Sequence, residues 1–163
     1  MTYKTSLDSL AKIVTASITI IFATIIILQV SLIKDEGNAA PIFTTVALIL
    51  IYFGSFSFRP VGYRLTKENL IIQRPLSDIK LKRNEIKSVE QIDKEKLSWT
   101  IRTFGVSGLF GYFGNFRNTK LGSMTWYATR RKDKMVLVTT IYNRKIILSP
   151  DEPEQFVAEF YGI

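Results

Sequence analysis

The sequence predicts a two-helix membrane hairpin followed by a mainly β domain that closes with an α-helix. Three observations support this fold class: two long uncharged segments near the N-terminus, short β-like runs beyond residue 62, and an amphipathic stretch near the C-terminus. Residues 59–163 are numerous enough for one small domain with its own hydrophobic core.

Two uncharged segments define the hairpin, since residues 13–33 and residues 37–58 contain no charged side chain. A helix of about 20 residues crosses a hydrocarbon layer about 30 Å thick and satisfies its own backbone hydrogen bonds there. We therefore expect spans over about 13–33 and 39–58, joined by a polar turn at 34–38. The first segment is too long for the apolar core of a cleaved signal peptide.

The charges flanking the hairpin predict its orientation, because Lys and Arg accumulate on the cytoplasmic side of a membrane. The turn contains one basic residue, Lys34, beside two acids. The flanks on the other side contain Lys4, Lys12, Arg59, Arg64, Lys67 and Arg74. We expect a multi-pass cell-membrane protein with a cytoplasmic N-terminal segment at 1–12, the turn outside, and a cytoplasmic domain at 59–163.

Gln29 is the strongly polar side chain inside the first predicted span. A lone amide there is typical of a hydrogen bond between helices, whereas transport paths through membranes use ionisable groups. By depth in the membrane, Thr44 or Thr45 is the expected partner. The hairpin is therefore interpreted as an anchor rather than a pump or channel.

The composition excludes several classes of chemistry. The chain has no Cys and no His, which rules out disulfides, zinc sites built on those ligands, and His acid–base catalysis. Ser77 and Lys80 match the S-x-x-K pattern of serine acyl enzymes, but the companion motifs are missing. We predict no catalytic residue, no metal site and no cofactor.

Short runs with turn residues between them predict the β domain. They recur at the spacing of an antiparallel sandwich or small barrel. The runs are 63–66, 70–74, 79–82, 86–92, 98–104, 122–129, 134–140 and 144–148. After them Phe156, Val157 and Phe160 share one helical face, and Pro153 suits a first helical turn. The sequence therefore ends in a helix that can cover a sheet.

Three stretches resemble the bacterial pleckstrin-homology (PH) domain family. They read YRLTKENLII at 63–72, FGVSGLFGYFG at 104–114 and ILSPDEPEQF at 147–156. The resemblance covers roughly residues 60–161. It implies two packed antiparallel sheets with about seven strands and a capping C-terminal helix. It carries over no ligand and no catalytic residue, because a shared fold does not imply a shared function.

The glycine-aromatic stretch has a glycine at every third position from 105 to 114. Three interpretations are open. The stretch can be core packing in which glycine permits close approach, or a protein- or ligand-binding edge. It can also be an interfacial loop that dips large side chains into the headgroup region. The side chains that would form this interfacial or partner-binding loop are Leu109, Phe110, Tyr112 and Phe113.

Two basic clusters belong to the part of the chain that carries the whole net charge of +8. The first consists of Lys80, Lys82, Arg83 and Lys87. The second consists of Arg130, Arg131, Lys132 and Lys134. Either can be a solvated hairpin tip, or a contact with anionic lipid to which each cation near the surface contributes about 1 kcal/mol.

These observations predict a non-catalytic binding or scaffolding module at the cytoplasmic face. Its expected partners are the lipid bilayer, another membrane protein or a second copy of the chain. Nucleic acid is not expected, because no recognition module is present and the anchor restricts access. The alternative is an accessory or regulatory subunit in which the glycine-aromatic stretch and Gln29 face another membrane protein.

Overall fold

The computed structural model describes residues 1–36, 40–131 and 134–162. Three α-helices occur in these ranges: α1 (Ser9–Glu36), α2 (Ala40–Phe58) and α3 (Pro153–Gly162). The strands are β1 (Thr2–Lys4), β2 (Gly62–Leu65), β3 (Asn69–Gln73), β4 (Ile79–Lys82), β5 (Ile86–Ile92), β6 (Ile101–Gly108), β7 (Gly111–Asn118), β8 (Gly122–Ala128), β9 (Met135–Thr140) and β10 (Lys145–Leu148).

Helices α1 and α2 are long and apolar enough to cross a membrane by length and composition. Their apolar side chains point away from the rest of the chain, as the exposure of Ile20, Phe43 and Leu50 shows. A core helix of a soluble protein would bury such a surface. This pattern favours membrane association.

Helix α1 is longer at both ends than the predicted span. It begins early because the Asp8 carboxylate caps it, accepting a 2.7 Å hydrogen bond from the Ala11 N–H. It also includes Lys34, Asp35 and Glu36, which we predicted as turn. Lys and Glu are good helix formers, so charge ends the apolar run without ending the helix. The rest of the predicted turn, residues 37 and 38, lies outside the described residues.

Two sheets form the β domain, as the fold class predicts. One has the order β1-β2-β3-β4 and the other the order β5-β9-β10-β8-β7-β6. Together with α3 they enclose a first core, to which Tyr63, Ile72, Val138, Phe156 and Phe160 contribute. The predicted closing helix is therefore confirmed, with both its Phe rings buried.

The strands differ from the expected seven in number and from all-antiparallel pairing. The described residues form ten strands. One addition is β1, which precedes the hairpin in sequence and pairs with β2 in the register Thr2↔Arg64. The other difference is that β10 pairs with β8 in parallel. After β8 the chain leaves a gap in the sheet and forms β9 on the far side of it. β10 then fills this gap, running antiparallel to β9 and parallel to β8.

The other face of the six-stranded sheet has a second core, formed around Tyr112, Phe116 and Trp126. Ala11, in the first turns of α1, is fully buried in it. Leu97, from the short 3₁₀ turn Lys94–Leu97, also covers this face. The residues before the first span therefore pack with the β domain, and the base of the hairpin is continuous with the domain core.

Candidate functional site

The glycine-aromatic stretch forms β6, β7 and the turn between them, rather than an exposed loop. The exposed fractions of Leu109, Phe110, Tyr112 and Phe113 are 7%, 6%, 1% and 7%. This burial favours the core-packing interpretation over that of an interfacial or partner-binding loop. Packing inside the chain already occupies them.

The repeated glycines meet a backbone requirement of the β6–β7 pair, because the glycines at 105, 108, 111 and 114 all have positive φ. Gly105 and Gly114 lie opposite each other, and a Cβ on Gly105 would lie 2.8 Å from the Gly114 Cα. A Cβ on Gly108 would lie 2.9 Å from Val14 Cγ1 of α1. Because Gly105 and Gly114 lack side chains, β6 and β7 can pair at this point. Because Gly108 lacks one, α1 can approach the end of β6.

The turn between β6 and β7 is seated against both helices. The Phe110 N–H donates a 2.9 Å hydrogen bond to Thr15 Oγ1 of α1. The Phe110 ring packs edge-on against Tyr52 and Phe56 of α2, with centroid distances of 5.1 and 5.5 Å. This turn therefore holds the domain against the base of the hairpin through α1 and α2 together.

Gln29 forms a contact between the two helices of the hairpin, nearer the end that is away from the β domain. Thr45 Oγ1 donates a 2.6 Å hydrogen bond to Gln29 Oε1. Thr44 instead donates to the Ala40 carbonyl of its own helix at 3.1 Å. The amide oxygen of Gln29 thus faces α2, which supports its interpretation as a contact between the two helices.

A cavity of about 380 Å³ lies between the N-terminal segment, the two helix ends and the β6–β7 turn. We call it the junction cavity, and its lining includes Lys12, Arg59, Phe110 and Thr129. The Arg59 guanidinium carbon lies 4.3 Å from the Phe56 ring centroid and 5.4 Å from that of Phe110. The Arg59 Nε is buried and has no hydrogen-bond partner in the described part of the chain.

The second basic cluster is engaged within the chain. Arg130 forms a 2.7 Å ion pair with Asp151 and also donates to the Pro150 carbonyl. Arg131 donates a 3.2 Å hydrogen bond from its guanidinium to the Thr100 carbonyl. These two guanidinium groups therefore brace the crossover between β8 and β9 against its neighbours.

The remaining members of this cluster lie at the surface or outside the described residues. Lys134 forms a 3.0 Å ion pair with Glu154 at the start of α3. This contact, first as a hydrogen bond and then through charge, raises the pKa of Lys134, and the same hydrogen bond lowers the pKa of Glu154. Lys132 lies outside the described residues.

Tyr112 links the second core to the cap of α1. Its hydroxyl donates to the Asp8 carboxylate, with both oxygens at 3.2 Å, and that carboxylate also accepts the Arg131 N–H. Burial, and after it the Asp8 charge, raises the pKa of Tyr112 to about 12. The phenol is therefore a hydrogen-bond donor at neutral pH, and its role is to position the start of α1.

The first basic cluster is more exposed. Lys80 and Lys82 alternate on β4 with Ile79 and Leu81, which pack against the first core, so both lysines point outward. Lys87 is also exposed. Arg83 differs from these three lysines.

The Arg83 guanidinium donates to the Thr66 carbonyl at 3.3 Å. It also lies over the Phe160 ring, 4.3 Å from the centroid. Arg83 therefore supports the capping helix, and the cations of this cluster that point freely outward are lysines.

The register of the four-stranded sheet adds two cations that the sequence did not suggest. Thr2, Arg64, Ile71 and Lys80 lie side by side across the four strands and therefore share one face of the sheet. Lys4, two residues after Thr2, lies on the same face. We call the resulting surface the outer basic face, formed by Lys4, Arg64, Lys80 and Lys82. All four are exposed, and β1 to β4 contain no acidic residue. No local signal could reveal it, since β1 and β2 are separated by the whole hairpin.

A family model described as "Bacterial PH domain" matches residues 61–162, which is more than half of the chain. The chain belongs to the bacterial PH domain family. The resemblance seen in the sequence is thereby confirmed, and the two sheets with a closing helix are its structural counterpart. No curated protein and no solved structure matches the chain significantly.

PH domains are typically non-catalytic. Within the described residues, no group of three or more Asp or Glu side chains is placed to hold a metal ion. The features available for recognition are the outer basic face and the junction cavity.

Proposed function

We propose that this bacterial PH domain protein is a membrane-anchored binding module whose β domain lies at the cytoplasmic face and contacts anionic lipid. The observation that supports this proposal best is the outer basic face. Its four cations are exposed, and their side chains have no ion pair within the described ranges. They belong to a domain that is seated directly on the hairpin.

The seating of the domain supports a juxtamembrane position for this face. Strand β2 begins at Gly62, four residues after α2 ends at Phe58, and β1 pairs beside it. Arg64 lies two residues along β2, which is six residues beyond the end of α2. A cation that comes within about one Debye length of anionic lipid contributes about 1 kcal/mol.

Because the anchor keeps the domain at the bilayer, weak contacts with lipid headgroups are sufficient for binding. A domain attached to the bilayer meets lipid headgroups at a high effective concentration, so a few cations can determine which headgroups gather beneath it. The expected orientation follows from the basic flanks of the two spans, since these are the flanks that join the domain.

The orientation can be tested with a single cysteine, because the chain contains none. We place it at Asn84, an exposed position just after β4. A membrane-impermeant maleimide should label Asn84→Cys in opened cells and leave it unlabelled in intact cells. Labelling in intact cells would overturn the cytoplasmic placement.

The lipid contact can be tested on the same full-length protein reconstituted in vesicles. A fluorophore on Asn84→Cys should transfer energy to a headgroup acceptor more efficiently in vesicles with phosphatidylglycerol than in phosphatidylcholine alone. Reversing Lys80 and Lys82 to Glu should abolish this gain, because two attractions become repulsions.

The matched control reverses Lys94 and Lys96, two exposed lysines of the 3₁₀ turn outside the outer basic face. It should leave the gain in energy transfer intact. Equal loss in both double variants would show that only net charge matters. An unchanged gain in the Lys80 and Lys82 variant would overturn the lipid contact.

A second candidate function is binding to another membrane protein, as an accessory or regulatory subunit. Strand β6 is an edge of the six-stranded sheet, and it exposes 65% of Ile101 and 76% of Phe104. Trp99 beside it is 91% exposed and has a φ of 55°, a strained conformation for a bulky residue. Exposed apolar side chains on a free sheet edge favour a protein partner.

A photo-crosslinking residue at Phe104 separates the two candidates. One abundant protein adduct in native membranes would support the subunit function. Lipid adducts alone, or none, would count against it. The same residue at Arg117, an exposed position on β7, is the control for random collisions.

A further inference from the structure

The junction cavity lies at the level where the apolar helix surfaces end. Lys12 is the last charged residue before the first uncharged segment, and Arg59 is the first after the second. Both line the cavity, whose volume is about 380 Å³. A headgroup-sized anion fits in this space, beside the surface that lipid chains would cover.

The Arg59 side chain is held in place by aromatic rings, and its Nε has no acceptor in the described part of the chain. Its guanidinium is stacked on Phe56 and near Phe110, and its Nε is buried with no partner in the described part of the chain. Arg59 as a whole is only half-buried and lines the cavity, so an anion in the cavity can pair with its charge.

The lining of the cavity contains the two cations Lys12 and Arg59 and no acidic residue among the described residues. Asp151, which lies close to Ser6, is already paired with Arg130. The lining of the cavity is therefore positively charged.

The hydroxyls of the cavity are used as well. Thr5 and Thr129 are hydrogen-bonded to each other at 2.6 Å, and the Thr129 hydroxyl also donates to the Ser6 carbonyl. This leaves Lys12 and Arg59 as the donors that can meet a ligand. A guanidinium fork matches the geometry of phosphate oxygens, and an ammonium group adds a second charge.

We propose that the junction cavity binds a phosphate group, with Arg59 as the orienting donor and Lys12 as the second cation. The phosphate is carried by an anionic lipid headgroup or by a small soluble phosphate ester. The position at the membrane end of the domain favours the lipid. The choice of lipid rests on the proposed orientation, whereas phosphate binding in the cavity does not.

The test is native mass spectrometry of the full chain in detergent, titrated with phosphatidylglycerol. The wild type should retain one lipid per chain. Replacing Lys12 and Arg59 with Gln should weaken this binding at least tenfold. The matched control, Lys94→Gln with Lys96→Gln, removes the same charge from exposed lysines outside both the cavity and the outer basic face, and it should bind as the wild type does.

Two further measurements keep the result interpretable. Arg59→Lys preserves the charge but not the fork, so it should bind with intermediate affinity even if the double variant folds poorly. Competition with glycerol 3-phosphate identifies the source: displacement of the lipid indicates a soluble ester, and resistance indicates the headgroup.

The proposal is overturned if the cavity variants bind as tightly as the wild type, or if the control loses the lipid equally. These outcomes are independent of the energy-transfer experiment. A domain that ignores anionic vesicles could still hold one lipid in the cavity, and the reverse also holds.

Discussion

The two basic clusters look alike in the sequence, but the fold uses them differently. Each has four cations within a few residues. Arg130, Arg131 and Lys134 all bind groups of the same chain, whereas Lys80 and Lys82 point to solvent. Local density of positive charge therefore does not measure the charge that is available to a ligand.

The difference arises from what the fold brings next to each cluster. The crossover between β8 and β9 meets the N-terminal segment and the start of α3, which supply Asp8, Asp151 and Glu154. Strand β4 is an edge strand whose sheet contains no acidic residue. Three variants of the second cluster and its neighbours test this contrast, from the largest expected effect to the smallest.

Arg130→Gln should destabilise the protein most, by about 2–3 kcal/mol. The side chains of Arg130 and Asp151 are only 12% and 31% exposed, so the substitution leaves a partly buried carboxylate without its cationic partner and the Pro150 carbonyl without this donor. Urea unfolding of the full chain in micelles measures the change. Lys80→Gln is the control and should stay within about 0.5 kcal/mol of the wild type. Equal destabilisation by both variants would contradict the contrast.

Tyr112→Phe should alter the stability at alkaline pH by about 1–2 kcal/mol. The pKa of Tyr112 is raised from 10.0 to about 12, so the folded state holds its proton more tightly than the unfolded state does. The contribution is complete below pH 10 and is lost as pH rises to about 12. The wild type should therefore lose more stability across this interval than the variant. Parallel losses in both proteins would show that the phenol is not protected.

Glu154→Gln should have the smallest effect, because its ion pair with Lys134 is exposed and water screens such pairs. The pKa of Glu154 is lowered from its ordinary value of 4.5, so its contribution is present above that pH and is lost on acidification. The thermal midpoints of wild type and variant, measured against pH, should converge in acid. Divergence in acid would reverse the assigned sign.

Features with strong local signals could be predicted from the sequence. The uncharged segments became α1 and α2, the runs at 63–66 and 70–74 became the β2–β3 hairpin, and the face of Phe156 and Phe160 became α3. Each depends on hydrophobic periodicity or turn residues within about 20 positions. Such patterns determine the backbone state of a segment whatever its distant neighbours are.

The candidate sites were much less predictable. Residues 109–113 have the composition of a membrane-dipping loop, and only their contacts with Thr15 and Tyr52 show that the chain itself covers them. Lys4 joins the outer basic face only through the pairing of β1 with β2. The junction cavity likewise depends on Lys12 and Arg59, which precede and follow the hairpin in sequence and line the same cavity.

The sequence by itself determined where apolar surface is continuous, where the chain turns and which part carries the positive charge. Only the tertiary structure decided which cations are neutralised and which aromatic side chains are covered. The physical reason is range: partition between water and an apolar phase, and backbone preference, act along a few neighbouring residues. The energy of a charge or a ring depends instead on groups that folding brings from elsewhere in the chain, as Asp151 is brought to Arg130.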